Sequence, residues 1–226
     1  MTASRPTTFW EALAPADRTA LRRVGAQISV PTDEQLLAQG DDSDHLIVVL
    51  CGWVKVVTYS HAGYRALLAL RGAGELLGEQ AGLEGRRRSA SLYTASPVDL
   101  IHLPAHRFHA ITRGNANVAA ALEQTLSRRL READLQRTSI TEPVHARLAA
   151  LLLDLAERCG HTEPGGAGRR LTLSLSQDDL AGLVLSSRRT VSRVLEQWRR
   201  QGVIVTGRQS LLIRSVDQLK TQAFGD

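Results

Sequence analysis

SQDDLAGLVLSSRRTVSRVLEQWRRQGVI, residues 176–204, decides how the rest of the chain is read. Its second half, residues 186–200, holds five arginines and one glutamate, yet it also carries Val191, Val194, Leu195 and Trp198. On a helix these four apolar residues stand at i, i+3, i+4 and i+7, which is one face. Arg188, Arg189, Ser192, Arg193 and Arg200 fall largely elsewhere. Ser187 is placed to cap the helix, because its hydroxyl can accept from a backbone N–H that has no partner inside it. Three arginines then crowd the first two turns, where the helix dipole favours anions and cations cost a little stability. An external anion such as a phosphate backbone would resolve that conflict. A solvated charged face would have the same composition, so the neighbours of this helix carry the decision.

Upstream, Ser176-x-x-Asp179 is a capping pattern, and residues 176–184 read as a helix. Its Leu180, Leu183 and Val184 offer a surface for the apolar face of the basic helix. Further upstream, HARLAALLLDLAERCG reads as an apolar helix, GHTEPGGAG as a loop and LTLSL (171–175) as a short strand. Downstream, VIVTGRQSLLIR (203–214) reads as a two-strand hairpin turning near Gly207. Helix, strand, helix, short turn, helix, hairpin is the order of a winged helix-turn-helix. In such a unit the first helix braces the second, whose N-terminal residues meet base edges in the major groove. A guanidinium fork can span guanine O6 and N7. Arg188, Arg189 and Arg193, with Ser187 beside them, are therefore candidate DNA-reading residues, and Ser176 and Gln177 candidates for backbone phosphate.

The chain has 226 residues, 43% of them hydrophobic and 23% charged, with a net charge of +5. That suits one or two globular domains and gives mild support to an acidic partner. Cys51 and Cys159 stand far apart, as lone thiols of a reducing compartment do, and argue against an iron–sulfur cluster. MTASRPTTFWEAL lacks a signal peptide's apolar core, and no apolar run approaches the ~18 residues of a membrane span, so a cytoplasmic protein with no membrane partner is expected.

Residues 8–25 read as helix, with Pro15 in a first turn. Residues 27–103 read as short strands, among them 45–59, 64–71, 89–95 and 99–103, separated by GDDSD, HAG and SPVD. Many short strands at close spacing suggest an antiparallel sandwich or roll. Pro104 begins a short helix, and residues 115–140 then run without proline or internal glycine. Val118, Leu122, Leu126, Leu130 and Ala133 form a stripe along that run. A second copy in a two-stranded coil, or the helix's own domain, would cover it; the length favours a homodimer. The expected fold is α+β: an N-terminal antiparallel β-roll over 1–114, a dimerisation helix over 115–142 and the winged unit over 143–226.

GELLGEQAGLEGRRRSASLY, residues 74–93, is a second motif. Gly78-Glu79 sits between strands and Arg88-Ser89 follows a short connection. A carboxylate can accept from a ribose hydroxyl, while a guanidinium, a hydroxyl and backbone N–H groups can hold a phosphate. A surface turn with a solvated run at Arg86, Arg87 and Arg88 reads equally well from the residues alone.

Residues 176–204 closely resemble the signature of the cyclic AMP receptor protein/FNR family of bacterial transcription regulators, and the resemblance extends over nearly the whole chain. It implies a homodimer on a palindromic double-stranded DNA site, RNA polymerase as a further partner, and a cyclic nucleotide-binding jelly roll at the N-terminus. The positions of Arg188 and Arg193 contact guanines in that family. The position of Arg189 is usually glutamate, which reads a cytosine; arginine cannot accept that hydrogen bond, so a different half-site is expected. Leu185 stands in the turn where glycine is common. A left-handed backbone there would cost leucine about 1 kcal/mol, and a reshaped turn would avoid that cost.

The resemblance also makes 74–93 a phosphate-binding cassette. It implies Glu79 on the ribose, Arg88 and Ser89 on a cyclic phosphate, and Gly78 for close backbone approach, with cyclic AMP as the effector. Where that family holds adenine with Thr and Ser, this chain has Ala133 and Asp134, with Glu132 beside them. Those residues could still accept from an adenine amine, could recognise a different base, or could mark a vestigial pocket. The alternatives to an effector-controlled regulator are thus a ligand-independent DNA binder and a nucleotide-binding module acting on a partner protein. His45, His61, His102, His106, His109, His145 and His161 are scattered, and GDDSD (40–44) lacks the rest of a calcium loop, so no metal is expected. No Walker loop, nucleophile elbow or kinase loop occurs, so an enzyme is not expected.

Overall fold

Strand β3 (Leu46–Cys51) is apolar at four successive positions and buried at all four, so both of its faces are covered. A computed structural model, describing residues 7–60, 65–163, 168–207 and 209–225, shows what covers them. Leu46 and Val48 join Phe9, Leu76, Ile101, Leu103, Phe108 and Val118 in one core. Ile47 and Val49 join Leu37, Val54, Leu77, Leu92 and Leu100 in another. An uninterrupted apolar run is what a strand between two layers requires.

The chain forms two compact units, one of residues 1–63 and 70–134, the other of 64–69 and 135–226. Two antiparallel four-stranded sheets follow from β1 (Ala26–Val30), β2 (Gln35–Leu37), β3, β4 (Val54–Tyr59), β5 (Arg65–Arg71), β6 (Leu76–Leu77), β7 (Ser91–Thr94) and β8 (Val98–Leu103). Their strand orders are β1-β8-β3-β6 and β2-β7-β4-β5. This is the antiparallel roll read from the spacing of the strands.

The predicted helix over 8–25 is two helices, α1 (Phe9–Ala12) and α2 (Pro15–Val24). Proline at the first position of α2 holds Ala14 extended, at ψ 155°, because the residue before a proline is driven out of the helical region. A short α3 (Glu79–Glu84) begins inside the cassette, so Glu79 lies between strands β6 and β7, as expected, and opens a helix there.

After α4 (Ala105–Gly114) comes the long α5 (Ala116–Thr138), a little shorter than the predicted 115–140. The Asn115 side chain accepts from the N–H of Asn117 and Val118 and caps it. Val118, Ala121, Leu122 and Thr125 are buried in their own unit, but Leu126 and Leu130 are 38% and 64% exposed. The stripe is thus covered only in its first half.

In the second unit, α6 (Val144–Cys159), β9 (His161–Thr162), β10 (Arg169–Leu171), α7 (Gln177–Leu183), α8 (Arg188–Arg200), β11 (Ile204–Gly207), β12 (Ser210–Ile213) and α9 (Val216–Phe224) succeed one another. The third sheet has the order β11-β12-β10-β9. The strand predicted over 171–175 pairs only at its first residue: β10 meets β12 through Leu171↔Leu211 and goes no further. Leu175 N–H instead turns back to the Leu173 carbonyl, one residue before the cap of α7. Helix α9 was not expected; a single buried residue, Leu219, gives it little pattern to read. The expected turn HAG, much of the loop GHTEPGGAG and the residue after Gly207 in the hairpin turn lie outside the described residues.

Candidate DNA-reading surface and ligand pocket

The apolar face of α8 is closed: Val191, Leu195 and Trp198 are 0%, 2% and 1% exposed. Trp198 is among the largest fully buried side chains of the described residues. That face fixes which way the rest of the helix points. Arg188, Arg189 and Arg193 are all exposed. Arg188 lies 3.6 Å from Asp178, a solvent-exposed pair that counterions screen. Arg189 and Arg193 make no hydrogen bond or ion pair to another described residue. Ser187 caps α8, accepting from the Thr190 N–H at 3.1 Å. Two guanidiniums with no partner among the described residues, and a third held weakly by Asp178, thus stand at the N-terminal turns.

Ser176 and Asp179 close a capping box on α7, each side chain accepting from the other's N–H at 3.0 Å. The Ser176 hydroxyl keeps its own proton to donate outward, and Gln177 follows at the first helical position. The turn between α7 and α8 is left-handed: Leu185 has φ 48°. Ser186 N–H bonds to Ala181 O and Leu185 N–H to Gly182 O, which is the Schellman closure of a helix. Of the two readings left open for Leu185, the strained backbone is the one present.

In the first unit Gly78 is left-handed as well, at φ 73°. A Cβ there would come within 2.8 Å of Arg88 Nη1 and 3.1 Å of the His45 carbonyl, so only glycine fits. Arg88 is 4% exposed. Its Nη1 donates to Gly78 O at 2.9 Å, its Nη2 to His45 O at 2.6 Å and its Nε to Ser43 Oγ at 3.1 Å. Burial lowers its affinity for a proton, with Asp44, Asp41 and Glu79 opposing. The run of three arginines therefore splits: Arg86 and Arg87 face solvent on Glu84 and Asp42, and Arg88 is built in. GDDSD takes part in that placement through Ser43 and through the Asp41 carbonyl, which accepts the Arg88 N–H. Ser89 is exposed and donates to Gln80 at 2.7 Å.

Glu79 is buried, and Arg129 of α5 donates to it. This pair ends a chain of alternating charge. Arg71 donates to Glu132 at 2.6 Å, Arg128 to Glu132 at 2.7 Å and to Glu75 at 2.9 Å, and Arg129 reaches Glu75 at 3.4 Å. Burial alone would raise the Glu75 and Glu132 carboxyls, but the arginines hold both below the usual range. Glu132, considered for a base contact, is thus engaged from two sides. Ala133 is half-buried and Asp134 exposed, and neither brings a hydroxyl. Sequence reasoning missed Glu75, Arg128 and Arg129, because their pairing spans more than fifty residues and no local pattern announces it.

No three of the described histidines gather into a metal-type cluster. His45 stacks on His102, and burial, His102 and Arg88 lower its pKa to about 4, while His109 bonds the Gly82 carbonyl. No group of three or more His, Cys, Asp or Glu suited to a metal occurs among the described residues.

The family model for the Crp-like helix-turn-helix domain matches residues 146–222, and that for the cyclic nucleotide-binding domain matches 27–115. The cyclic AMP receptor protein of Thermus thermophilus is 33% identical over 196 residues, 86% of this chain and 87% of that protein. The chain belongs to the CRP/FNR family of transcription regulators. The "CRP-like cAMP-activated global transcriptional regulator" of Mycobacterium tuberculosis is 28% identical over 95% of this chain and 96% of that one. A solved CRP/FNR-family regulator of Thermus thermophilus superposes with a TM-score of 0.72 at 28% identity, covering 88% of this chain and 98% of its own. This CRP/FNR-family chain accordingly joins a DNA-binding helix-turn-helix to a cyclic nucleotide-binding domain. Among the described residues no helix is long and apolar enough to cross a membrane.

Proposed function

We propose that this regulator acts in the cytoplasm as a homodimer on a palindromic duplex, and not as an enzyme. Its parts are residues 1–114, 115–142 and 143–226. Arg188, Arg189 and Arg193 meet base edges, and Ser176, Gln177 and Ser187 hold the flanking phosphates. The exposed Leu126 and Leu130 pair with a second copy. Two α8 helices then enter major grooves about 34 Å apart. RNA polymerase is the further partner that this family of regulators implies. The exposed arginines above the closed face of α8, Arg189 and Arg193 without a partner among the described residues and Arg188 held weakly by Asp178, carry this reading.

The β-roll takes a cyclic mononucleotide, cyclic AMP first among them. Arg88 has two N–H groups left after its three internal bonds, and with Ser89 it would hold the phosphate while Gly78 lets the backbone approach. Glu79 would exchange Arg129 for the ribose. The buried Arg129 Nε, which has no acceptor, suits a site whose bonds rearrange when filled. An effector that favours one arrangement of α5 shifts the population competent for DNA. The experiment is calorimetric titration with cyclic AMP, repeated on Arg88→Ala. Saturable heat that the substitution abolishes supports the pocket. No heat with the native protein supports the second reading, a ligand-independent regulator, which the closed chain from Arg71 to Glu79 favours.

A further inference from the structure

The place where β10 stops pairing has a chemical consequence. Leu171, Leu173 and Leu175 alternate along an extended segment, and all three face one cavity of about 310 Å³ in the second unit. Leu152 of α6, Leu180 of α7 and Leu195 of α8 complete its floor and walls. Leu171, Leu173, Leu180 and Leu195 are each 5% exposed or less, whereas Leu175 is half-buried, so the floor is dry and the mouth open. Ser176, Gln177, Thr206 and Ser210 form the polar rim. The Gln177 amide and the Ser210 hydroxyl make no hydrogen bond to another described residue. Among the described residues none that lines the cavity is charged, and Arg199 reaches the rim through the Thr206 hydroxyl, to which it donates at 3.3 Å.

We propose that this cavity binds a compact neutral amphiphile, with its apolar body on the leucines and one hydrogen-bonding head at Gln177 and Ser210. The Gln177 amide and the Ser210 hydroxyl can each donate and accept, which matches a neutral head, and a dry leucine floor rejects a charged group. The volume sets the size: at roughly 30 Å³ per non-hydrogen atom it holds on the order of ten of them, a medium-chain alcohol or amide. The head sits beside Ser176 and Gln177, the side chains assigned to DNA phosphate. Occupancy therefore competes with DNA, and this coupling, unlike the site itself, rests on the proposed function.

The probe is octanamide, titrated calorimetrically into the full-length protein. Ser210→Phe and Leu175→Phe each fill the mouth at a half-buried position, and thermal melting verifies that both variants fold. The expected result is saturable one-to-one binding that weakens at least tenfold in both variants. Absence of saturable binding to the native protein, or equal binding in a folded variant, overturns the site. Octanamide should also weaken operator binding at least threefold in the native protein and not in the variants. Bound octanamide with unchanged operator affinity overturns the competition, whereas failure to bind any operator without octanamide counts against the DNA reading alone.

Discussion

Arg129 donates to the buried carboxylate of Glu79, so the group assigned to a ribose already has a cation from the long helix. The pair ties α5 to the cassette and sets what a ligand must displace. Removing one partner of a buried pair leaves an uncompensated charge, which costs far more than the pair gains. Arg129→Gln should therefore destabilise the protein by about 3–5 kcal/mol, and Glu79→Gln by a similar amount. The double variant should recover more than 1 kcal/mol of the summed loss in denaturant melts. Strict additivity would show that the two side chains act independently.

Leu185 and Gly202 hold the same place in two turns of the same kind. Gly202, at φ 71°, ends α8 as Val203 N–H bonds Trp198 O and its own N–H bonds Arg199 O. Leu185 does the same for α7 with a side chain that disfavours the conformation and is 41% exposed. Leu185→Gly should stabilise the protein by roughly 0.5–1 kcal/mol, the relief of left-handed strain less the added chain entropy. A lower melting midpoint would mean that the leucine's packing outweighs its strain.

The winged unit was legible because its signals are local. A 3.6-residue apolar period, two serine caps and a hairpin named α7, α8 and the wing. The run LTLSL shows where such reading stops. Alternation reports an extended segment with one apolar side, and that side exists, but it faces a cavity instead of continuing a ladder. The cassette was half legible: Gly78, Glu79 and Arg88 could be picked out, while their partners His45, Ser43 and Arg129 come from distant segments that only the fold brings near.

Leu126 and Leu130 lie four residues apart on one exposed face of α5. Replacing both with glutamate should leave the melting midpoint within a few degrees, because neither is in the core. Sedimentation should change from a dimer to a monomer. Dimers that persist unchanged would place the contact between copies elsewhere.

Arg188→Ala should cost about 1–3 kcal/mol on the selected DNA site and much less on unrelated duplex, as loss of a base contact does. Replacing Gln177 should instead weaken all duplexes alike, with little change in sequence preference. Gel-shift titrations on specific and unrelated DNA separate the two outcomes.

Selection of binding sites from a randomised duplex, for the native protein and for Arg189→Glu, tests the central claim most directly. The native protein should enrich a palindrome with half-sites one helical turn apart, about 10–10.5 base pairs between centres. Arg189→Glu should change the selected base pair at one position of each half-site and leave the rest. No enriched sequence, or the same sequence from both proteins, would contradict the assignment of α8 as the element that reads DNA through Arg189.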